Sequence, residues 1–356
     1  MNICKRYSLL LMWLTVLLFA TLAAVSLYLQ PLSGDLTRLG WYSERHFGWN
    51  KPQKAFATEL FSREDAYRHY ADVVVIGDSF SIARYGYQWQ NFFVAETGLS
   101  VATFVLYADS LKFNDQLLPQ IVHSEAFQKT PPRVVVFQKV ERMLDQMGEP
   151  IGDCRPGATV PAGFSVSMKP SPADYPLHNQ FRKTTALSRQ SIAYAAEFLD
   201  KRVFSLRKKF IVTTLALENP ELFSNRQSDK LLLIDLDIKK RSWDEHKIDK
   251  IRCILLAMQN LVQANRKTLF VAMLAPDKLT AYSRQLADKG YVDLSVFDKL
   301  AAEPSLNLLR LDWALRSAVD KGMVDVYLPN DTHWGYQGHR IAATTLAQYL
   351  RERSGD

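Results

Sequence analysis

The sequence contains only three cysteines, and none of them stands in a C-x-x-C or zinc-binding spacing. This absence argues against a metal centre held by sulfur. Cys154 and Cys253 either pair with each other or remain two buried thiols. Nothing in the sequence brings the two together, so we expect the thiols.

Repeats, low-complexity tracts and basic blocks are also missing. The first two absences leave one compact fold as the simplest organisation for 356 residues of ordinary globular composition. The formal net charge is +7, but no Lys or Arg cluster is interleaved with aromatic residues, so the sequence does not indicate nucleic-acid binding. The excess is typical of a solvated mixed-charge surface, and it is compatible with an anionic membrane or an acidic polymer.

Charge is absent altogether between Arg6 and Asp35. Residues 9–29 are 21 mostly apolar residues, about 31 Å of helix, which is enough to cross a bilayer. Lys5 and Arg6 predict a cytoplasmic N-terminus over residues 1–7, a transmembrane signal anchor over 8–30 and the remainder across the membrane. The alternative is a signal peptide cleaved near Leu22-Ala23-Ala24, although the apolar run continues past that site.

Short apolar runs alternate with helical patterns in the rest of the chain. Runs without strict polar alternation are typical of strands buried on both faces of a parallel sheet. Five such strands are predicted, at Asp72–Ile76, Val101–Leu106, Arg133–Gln138, Thr268–Leu274 and Leu306–Leu311. Helical spacing connects them, most clearly over residues 248–262 and 338–350. We therefore predict an α/β fold, with a central parallel five-stranded sheet in a three-layer α/β/α arrangement, preceded by one transmembrane helix.

Domain boundaries follow from where this alternation starts and where it is interrupted. Residues 31–70 lack clear periodicity and are expected to form a juxtamembrane segment that packs on the domain or on lipid headgroups. Residues 71–356 are predicted to be one catalytic domain, with an insertion or lid-like region at 148–245. The Pro-rich stretch 148–176 is expected to overhang the carboxyl ends of the strands and shape a cleft, or to be a disordered surface loop.

Two motifs carry the candidate chemistry. VVVIGDSFS at 73–81 places Ser79 just after the first strand, where helix N–H groups favour an oxyanion; the alternative is that Asp78 or Ser79 only caps the helix. DTHW at 331–334 places Asp331 two residues before His333, so the carboxylate can hold the imidazole in the tautomer of a general base. A structural histidine is the alternative, and a metal site of Asp331, His333 and His339 is a remote one.

These motifs resemble the GDSL or SGNH esterase superfamily. The Asp-x-His-Trp form is similar to the branch containing bacterial alginate and cellulose O-acetyltransferases, as are VERML at 140–144 and APDKLTAY at 275–282. The resemblance implies Ser79 as nucleophile, His333 as base and Asp331 as its orienting acid. In the alginate enzymes the Asp-His segment precedes the serine, whereas here it follows.

The family's Gly and Asn oxyanion blocks have no clear counterpart in this sequence. Oxyanion donors are therefore assigned among Ser79, Ala108, Ser110 and Gln138. Candidate substrate-binding residues are Tyr85, Arg142, Lys278 and Trp334. Aromatic rings that would stack on a sugar, or else pack in the core, are Tyr85, Tyr87, Trp89 and Trp334.

The resemblance implies a single-pass protein of the bacterial inner membrane whose catalytic domain lies in the periplasm. There it would transfer acetyl groups from a donor to the hydroxyls of an exopolysaccharide, without a cofactor or metal. Its implied partners are a membrane-bound O-acyltransferase and polysaccharide synthase or export proteins. The alternatives are an envelope carbohydrate esterase or deacetylase with the same triad, and a non-catalytic polysaccharide-binding subunit.

Overall fold

A computed structural model describes residues 3–30, 33–83, 85–107, 112–170, 175–182, 187–204, 211–292 and 294–354. Its strands are β1 (Gln53–Phe56), β2 (Ser62–Glu64), β3 (Val73–Gly77), β4 (Val101–Val105), β5 (Val134–Val140), β6 (Leu177–Gln180), β7 (Val212–Ala216), β8 (Lys230–Ile234) and β9 (Leu269–Ala275). Its α-helices are α1 (Ile3–Leu29), α2 (Asp35–Gly40), α3 (Glu44–Phe47), α4 (Ser79–Ile82), α5 (Trp89–Thr97), α6 (Leu117–Val122), α7 (Glu125–Lys129), α8 (Arg189–Phe198), α9 (Asp235–Lys239), α10 (Glu245–Gln263), α11 (Lys278–Tyr282), α12 (Phe297–Ala301), α13 (Leu311–Asp320) and α14 (Tyr336–Ser354).

The central sheet has five parallel strands in the order β2-β4-β3-β5-β9. Four of the predicted strands are confirmed as β3, β4, β5 and β9, each shifted by at most two residues at its ends. Every residue of β3, β5 and β9 is buried, as continuous apolar runs require. From β3 the chain continues to β4 on one side of β3, and then to β5 on the other side. In open α/β sheets, sites form outside the carboxyl ends of the strands where the strand order reverses in this way.

The prediction of a fifth strand at Leu306–Leu311 is wrong. Leu306–Leu311 makes only one parallel bridge, from Leu308 to Ala272, before α13 begins at Leu311. The fifth strand of the sheet is instead β2, which pairs with β4 at the opposite edge. This strand is short, polar and partly exposed, so it has no apolar run to reveal it.

Helices cover both faces of the sheet. Val73 and Val75 of β3 face a core that contains side chains of α5, α13 and α14. Val74 and Ile76 face the other way, into a core built with α6, α10 and α12. The period-two alternation of side chains along a strand thus places successive valines in separate cores.

The N-terminal helix α1 is long and apolar enough to cross a membrane, with a mean hydropathy of 2.3 over its most apolar window. Its side chains are mostly exposed as far as Thr21, but its last turns lie against the domain. Ser26 and Leu29 are buried, and the Ser43 hydroxyl donates to the carbonyl of Tyr28 over 2.9 Å. The end of α1 is therefore fixed to the body of the protein.

The region 148–245 is more structured than a loop. Its described part contains α8, α9 and the antiparallel pair β7-β8, while β6 pairs with β1 of the juxtamembrane segment. Over 148–170 and at 175 and 176, the described residues form no helix or strand.

Cys154 and Cys253 form a disulfide between this region and α10. The expectation of two free thiols is therefore wrong. The chain is held beside α10 by polar contacts that sequence spacing does not show. Asn260 of α10 donates to the carbonyls of Asp153 and Arg155, over 2.8 and 3.0 Å.

Candidate active site

The turn after β3 holds Ser79 at the start of α4, and Asp78 is the residue that caps this helix. One Asp78 oxygen accepts from the N–H of Phe80 over 3.0 Å, and the other accepts from the N–H of Val140 over 2.6 Å. Since Asp78 carries the capping role, the hydroxyl of Ser79 is available for another partner.

Glycine is required at the end of β3 because the backbone passes very close to α4. A Cβ on Gly77 would lie 2.4 Å from the Ser81 Cβ and 3.1 Å from the Gln138 Oε1. That oxygen accepts from the Ser81 hydroxyl over 2.7 Å and from the Asp78 N–H over 3.2 Å. The Gly-Asp-Ser order therefore folds the serine turn tightly against β5.

The loop that carries His333 is enclosed by a short bridge just before α14. Tyr327 and Trp334 form an antiparallel bridge, and the N–H of Leu328 donates to the carbonyl of His333 over 3.0 Å. Beneath the loop, the Lys278 ammonium donates to the carbonyls of Leu328, Pro329 and Asp331 over 2.8, 3.0 and 3.1 Å. These bonds fix the backbone on which the candidate acid and base stand.

Ser79, His333 and Asp331 meet in one hydrogen-bonded chain. The Ser79 Oγ lies 2.7 Å from the His333 Nε2. The His333 Nδ1 lies 2.6 Å from the Asp331 Oδ1, which also accepts from the backbone N–H of His333 over 3.0 Å. The fold has brought together a serine and a histidine that are 254 residues apart in sequence, and the distances fit a nucleophile, its base and an orienting acid.

The electrostatics of this chain keep Asp331 ionised. Burial by itself would raise the pKa of Asp331, but the His333 ring and its hydrogen bonds lower the net pKa well below the ordinary range. Burial would likewise lower the pKa of His333, yet the Asp331 carboxylate raises the net pKa above its ordinary value. A carboxylate that favours imidazolium is what a base needs when it takes a proton from serine.

The oxyanion candidates are only partly placed. Ala108 and Ser110 lie outside the described residues. Gln138 is fully buried, with its Oε1 committed to Ser81 and Asp78, and its Nε2 has no partner among the described residues. The N–H of Ser79 belongs to the first turn of α4, where backbone N–H groups lack helical acceptors.

The four candidate substrate-binding residues lie in different surroundings. Lys278 and Trp334 are completely buried: the first supports the His333 loop, and the second packs edge-on against Phe80. Burial lowers the pKa of Lys278 to about 7. Arg142 is also buried, and its guanidinium lies 3.4 Å from the Asp237 carboxylate. Of these four, Tyr85 lines the open cleft beside Asp331, where it is placed to meet a ligand.

That cleft has a volume of about 250 Å³ and includes the Asp331 side of the triad. Its lining is Ser33, Gly34, Trp49, Tyr85, Tyr87, Gln180, Phe181, Arg182, Leu328, Asn330 and Asp331. Tyr85 and Tyr87 stack with their ring centroids 5.0 Å apart, and Phe181 stands exposed at the rim. Trp89, by contrast, is a core residue. Aromatic rings that line a cleft provide flat surfaces on which sugars can stack.

The alternative metal triplet of Asp331, His333 and His339 is not assembled among the described residues. His339 is buried against Trp334 and Tyr87, and burial lowers its pKa to about 3. Among the described residues, the His, Asp and Glu side chains that come together are Asp35, Asp331 and His333. Both ring nitrogens of His333 already face Ser79 and Asp331, so a metal would have to displace one of them.

Sequence reasoning missed Asp35, the first charged residue after the apolar helix. Its carboxylate accepts from the N–H and hydroxyl of Thr332, over 2.8 and 2.5 Å. Burial and the nearby Asp331 carboxylate raise the pKa of Asp35 to about 6. A lone acid in a segment without periodicity gives no signal, apart from its place at the end of the long uncharged run.

Comparisons with family models, with curated proteins and with solved structures gave no match. The functional argument therefore depends on the motifs and on the geometry of the site.

Proposed function

We propose that the chain is a membrane-anchored O-acetyltransferase that acetylates hydroxyls of an exopolysaccharide of the cellulose or alginate kind through an acetyl-serine intermediate. The observation that carries the proposal is the hydrogen-bonded chain from Ser79 through His333 to Asp331. A serine whose hydroxyl faces the free nitrogen of an acid-oriented histidine is equipped for acyl transfer.

The first half-reaction forms the acetyl-enzyme. The His333 Nε2 accepts the proton of Ser79 as Oγ attacks the carbonyl carbon of an acetyl ester. The new C–O bond forms as the bond to the leaving alcohol breaks, and His333 returns the proton to that alcohol. Asp331 stabilises the imidazolium that exists between these two proton transfers.

The second half-reaction transfers the acetyl group to the acceptor. His333 takes the proton from a sugar hydroxyl, whose oxygen attacks the acetyl carbon, and the proton then returns to the Ser79 Oγ as its ester bond breaks. Water is the competing acceptor, and its use would make the protein an esterase. The aromatic cleft beside Asp331 supports a sugar acceptor, because it offers ring surfaces next to the acid of the triad.

The fold and the N-terminal helix support a place in the cell envelope. A parallel sheet with helices on both faces and a serine after a central strand is compatible with the three-layer SGNH-like fold that the motifs resemble. The apolar helix α1, preceded by Lys5 and Arg6, would anchor the domain on the periplasmic side of a bacterial inner membrane. An acetyl supply from a membrane-bound O-acyltransferase and an acceptor from polysaccharide synthase or export proteins belong to the same proposal.

The test is acetyl transfer by the purified full chain in detergent, from p-nitrophenyl acetate to cellulose or alginate oligosaccharides. Release of nitrophenolate that rises with added oligosaccharide, with acetylated sugar as product, is the expected result. Ser79→Ala should abolish both signals. Ser354→Ala removes a hydroxyl that donates to the Leu350 carbonyl at the end of α14, and it should change neither signal. Nitrophenolate release that does not change with added oligosaccharide would identify an esterase. Activity that remains in Ser79→Ala would refute the serine mechanism.

A further inference from the structure

The segment that leaves the membrane helix lies directly against the loop that carries the candidate acid and base. We call residues 33–44, which include α2, the membrane-proximal strap. The N–H groups of Leu36 and Thr37 both donate to the carbonyl of Asn330, over 3.1 and 3.3 Å. The strap therefore holds the backbone one residue before Asp331.

A buried glutamate at the other end of the strap, Glu44, binds the same loop. The Glu44 carboxylate accepts from the backbone N–H groups of Ser33 and Gly34, over 3.0 and 2.9 Å. It also accepts from the side-chain amide of Asn330, over 2.9 Å at its nearer oxygen. Glu44 is fully buried and lies 3.4 Å from the Arg182 guanidinium, so this connection is shielded from water.

The strap approaches the loop so closely that a side chain does not fit. A Cβ on Gly34 would lie 2.0 Å from the carbonyl oxygen of Asn330. A contact below 3.0 Å requires some atoms to shift, and here the two nearest atoms, the carbonyl oxygen and carbon of Asn330, belong to the backbone. Glycine at this position therefore allows the strap to dock, and any larger residue would push it away from the loop.

Asp35 makes the contacts nearest to the chemistry. Its carboxylate holds the N–H and hydroxyl of Thr332, the residue between the candidate acid and base. Its own N–H donates to the Asp331 Oδ2 over 3.3 Å, the oxygen that does not bind His333. The Asp35 carboxylate stands 3.9 Å from the His333 Nδ1, against 2.6 Å for Asp331, so it acts through its neighbours.

We propose that Asp35 is a positioning residue for Asp331 and His333, and that the active site is complete only when the membrane-proximal strap is docked on the 328–333 loop. This inference rests on the serine chemistry proposed above, but not on the identity of the acceptor. The inference also connects the membrane anchor to the active site. The strap begins at residue 33, three residues after Gln30, where the described segment that contains α1 ends.

The test is the rate at which a fluorophosphonate probe labels Ser79 in the full chain held in detergent, with the labelled fraction measured at completion. Asp35→Ala should slow labelling by about 10- to 100-fold, because small displacements of reacting groups cost rates of this size. The labelled fraction at completion should remain that of the unaltered protein. Asp35→Asn should recover most of the rate, since its amide oxygen still accepts from the Thr332 N–H.

Three further variants separate an effect on the site from an effect on folding. Gly34→Ala should slow labelling by pushing the strap from the loop, whereas Gly152→Ala, with no atom within 4 Å of the added methyl, should not. Asp65→Ala removes an exposed carboxylate and serves as the matched control for Asp35. A purely structural role would lower the labelled fraction of Asp35→Ala and leave the rate of the folded molecules unchanged.

The two proposals fail in different ways. Asp35→Ala labelling at the unaltered rate would overturn the inference about the strap while Ser79 still reacts. An unaltered protein that is not labelled at Ser79 would overturn the serine chemistry itself.

Discussion

Replacing Asp331 by Asn tests whether the acid orients the base. The Asp331 Oδ1 accepts from both the ring Nδ1–H and the backbone N–H of His333, over 2.6 and 3.0 Å. An Asn at 331 keeps one oxygen, but its NH₂ group can face Nδ1 and favour the tautomer protonated at Nε2. In that tautomer His333 donates toward the Ser79 Oγ and cannot accept its proton.

The expected loss is about 10³- to 10⁴-fold in the acylation rate, or ~4–5.5 kcal/mol of transition-state stabilisation. The assay is stopped-flow release of nitrophenolate from p-nitrophenyl acetate, with the number of reactive serines counted by fluorophosphonate. Asp65→Asn makes the same chemical change at an exposed site and should leave the rate unchanged. An Asp331→Asn rate within about tenfold of the unaltered protein would refute the assigned role, because a wrong tautomer costs far more.

Three further outcomes are expected. Cys154→Ser with Cys253→Ser opens a cross-link across 99 residues and should lower the free energy of unfolding by up to ~5 kcal/mol, measured by urea denaturation; an unchanged midpoint would contradict this. Gly77→Ala drives a methyl group against Ser81 and should cost about 1–3 kcal/mol by the same measurement, while Gly152→Ala should cost little; equal losses would show that the close approach is unimportant. Activity should rise with pH through the pKa of His333, which Asp331 raises above the ordinary 6.5, because only the neutral ring accepts a proton; a rate that is flat across this range would exclude His333 as the base.

The raised pKa of His333 also affects the stability of the fold, and the pH dependence of stability is opposite to that of activity. Protonated His333 pairs with the Asp331 carboxylate only in the folded state, so this pairing stabilises the fold fully below pH 6.5. The contribution is lost as the pH rises through the raised pKa of His333. Catalysis and stability therefore change in opposite directions over this pH range.

The central sheet and the two chemical motifs could be predicted because each has a local signal. The strands β3, β5 and β9 are buried on both faces and therefore appear as unbroken apolar runs. The meeting of Ser79 and His333 is implied by the resemblance of the two motifs to the SGNH superfamily, and the structure places the two side chains 2.7 Å apart.

The elements that sequence reasoning missed are held by contacts without a local pattern. The strand β2 is three polar or charged residues, recognisable only through its pairing with β4. Asp35 owes its place to hydrogen bonds across almost 300 residues of chain. The disulfide likewise depends on where a segment without helix or strand passes α10, and spacing alone gives no measure of that distance.

The most direct test of the central claim is the mass of the Ser79 peptide after the full chain has been exposed to an acetyl ester and quenched in acid. The account predicts one added acetyl group on Ser79, lost again when an acceptor oligosaccharide is present before the quench. It also predicts no such addition in His333→Ala. Acetyl transfer to a sugar without any acetyl-Ser79, in a quench fast enough to trap the intermediate, would contradict it.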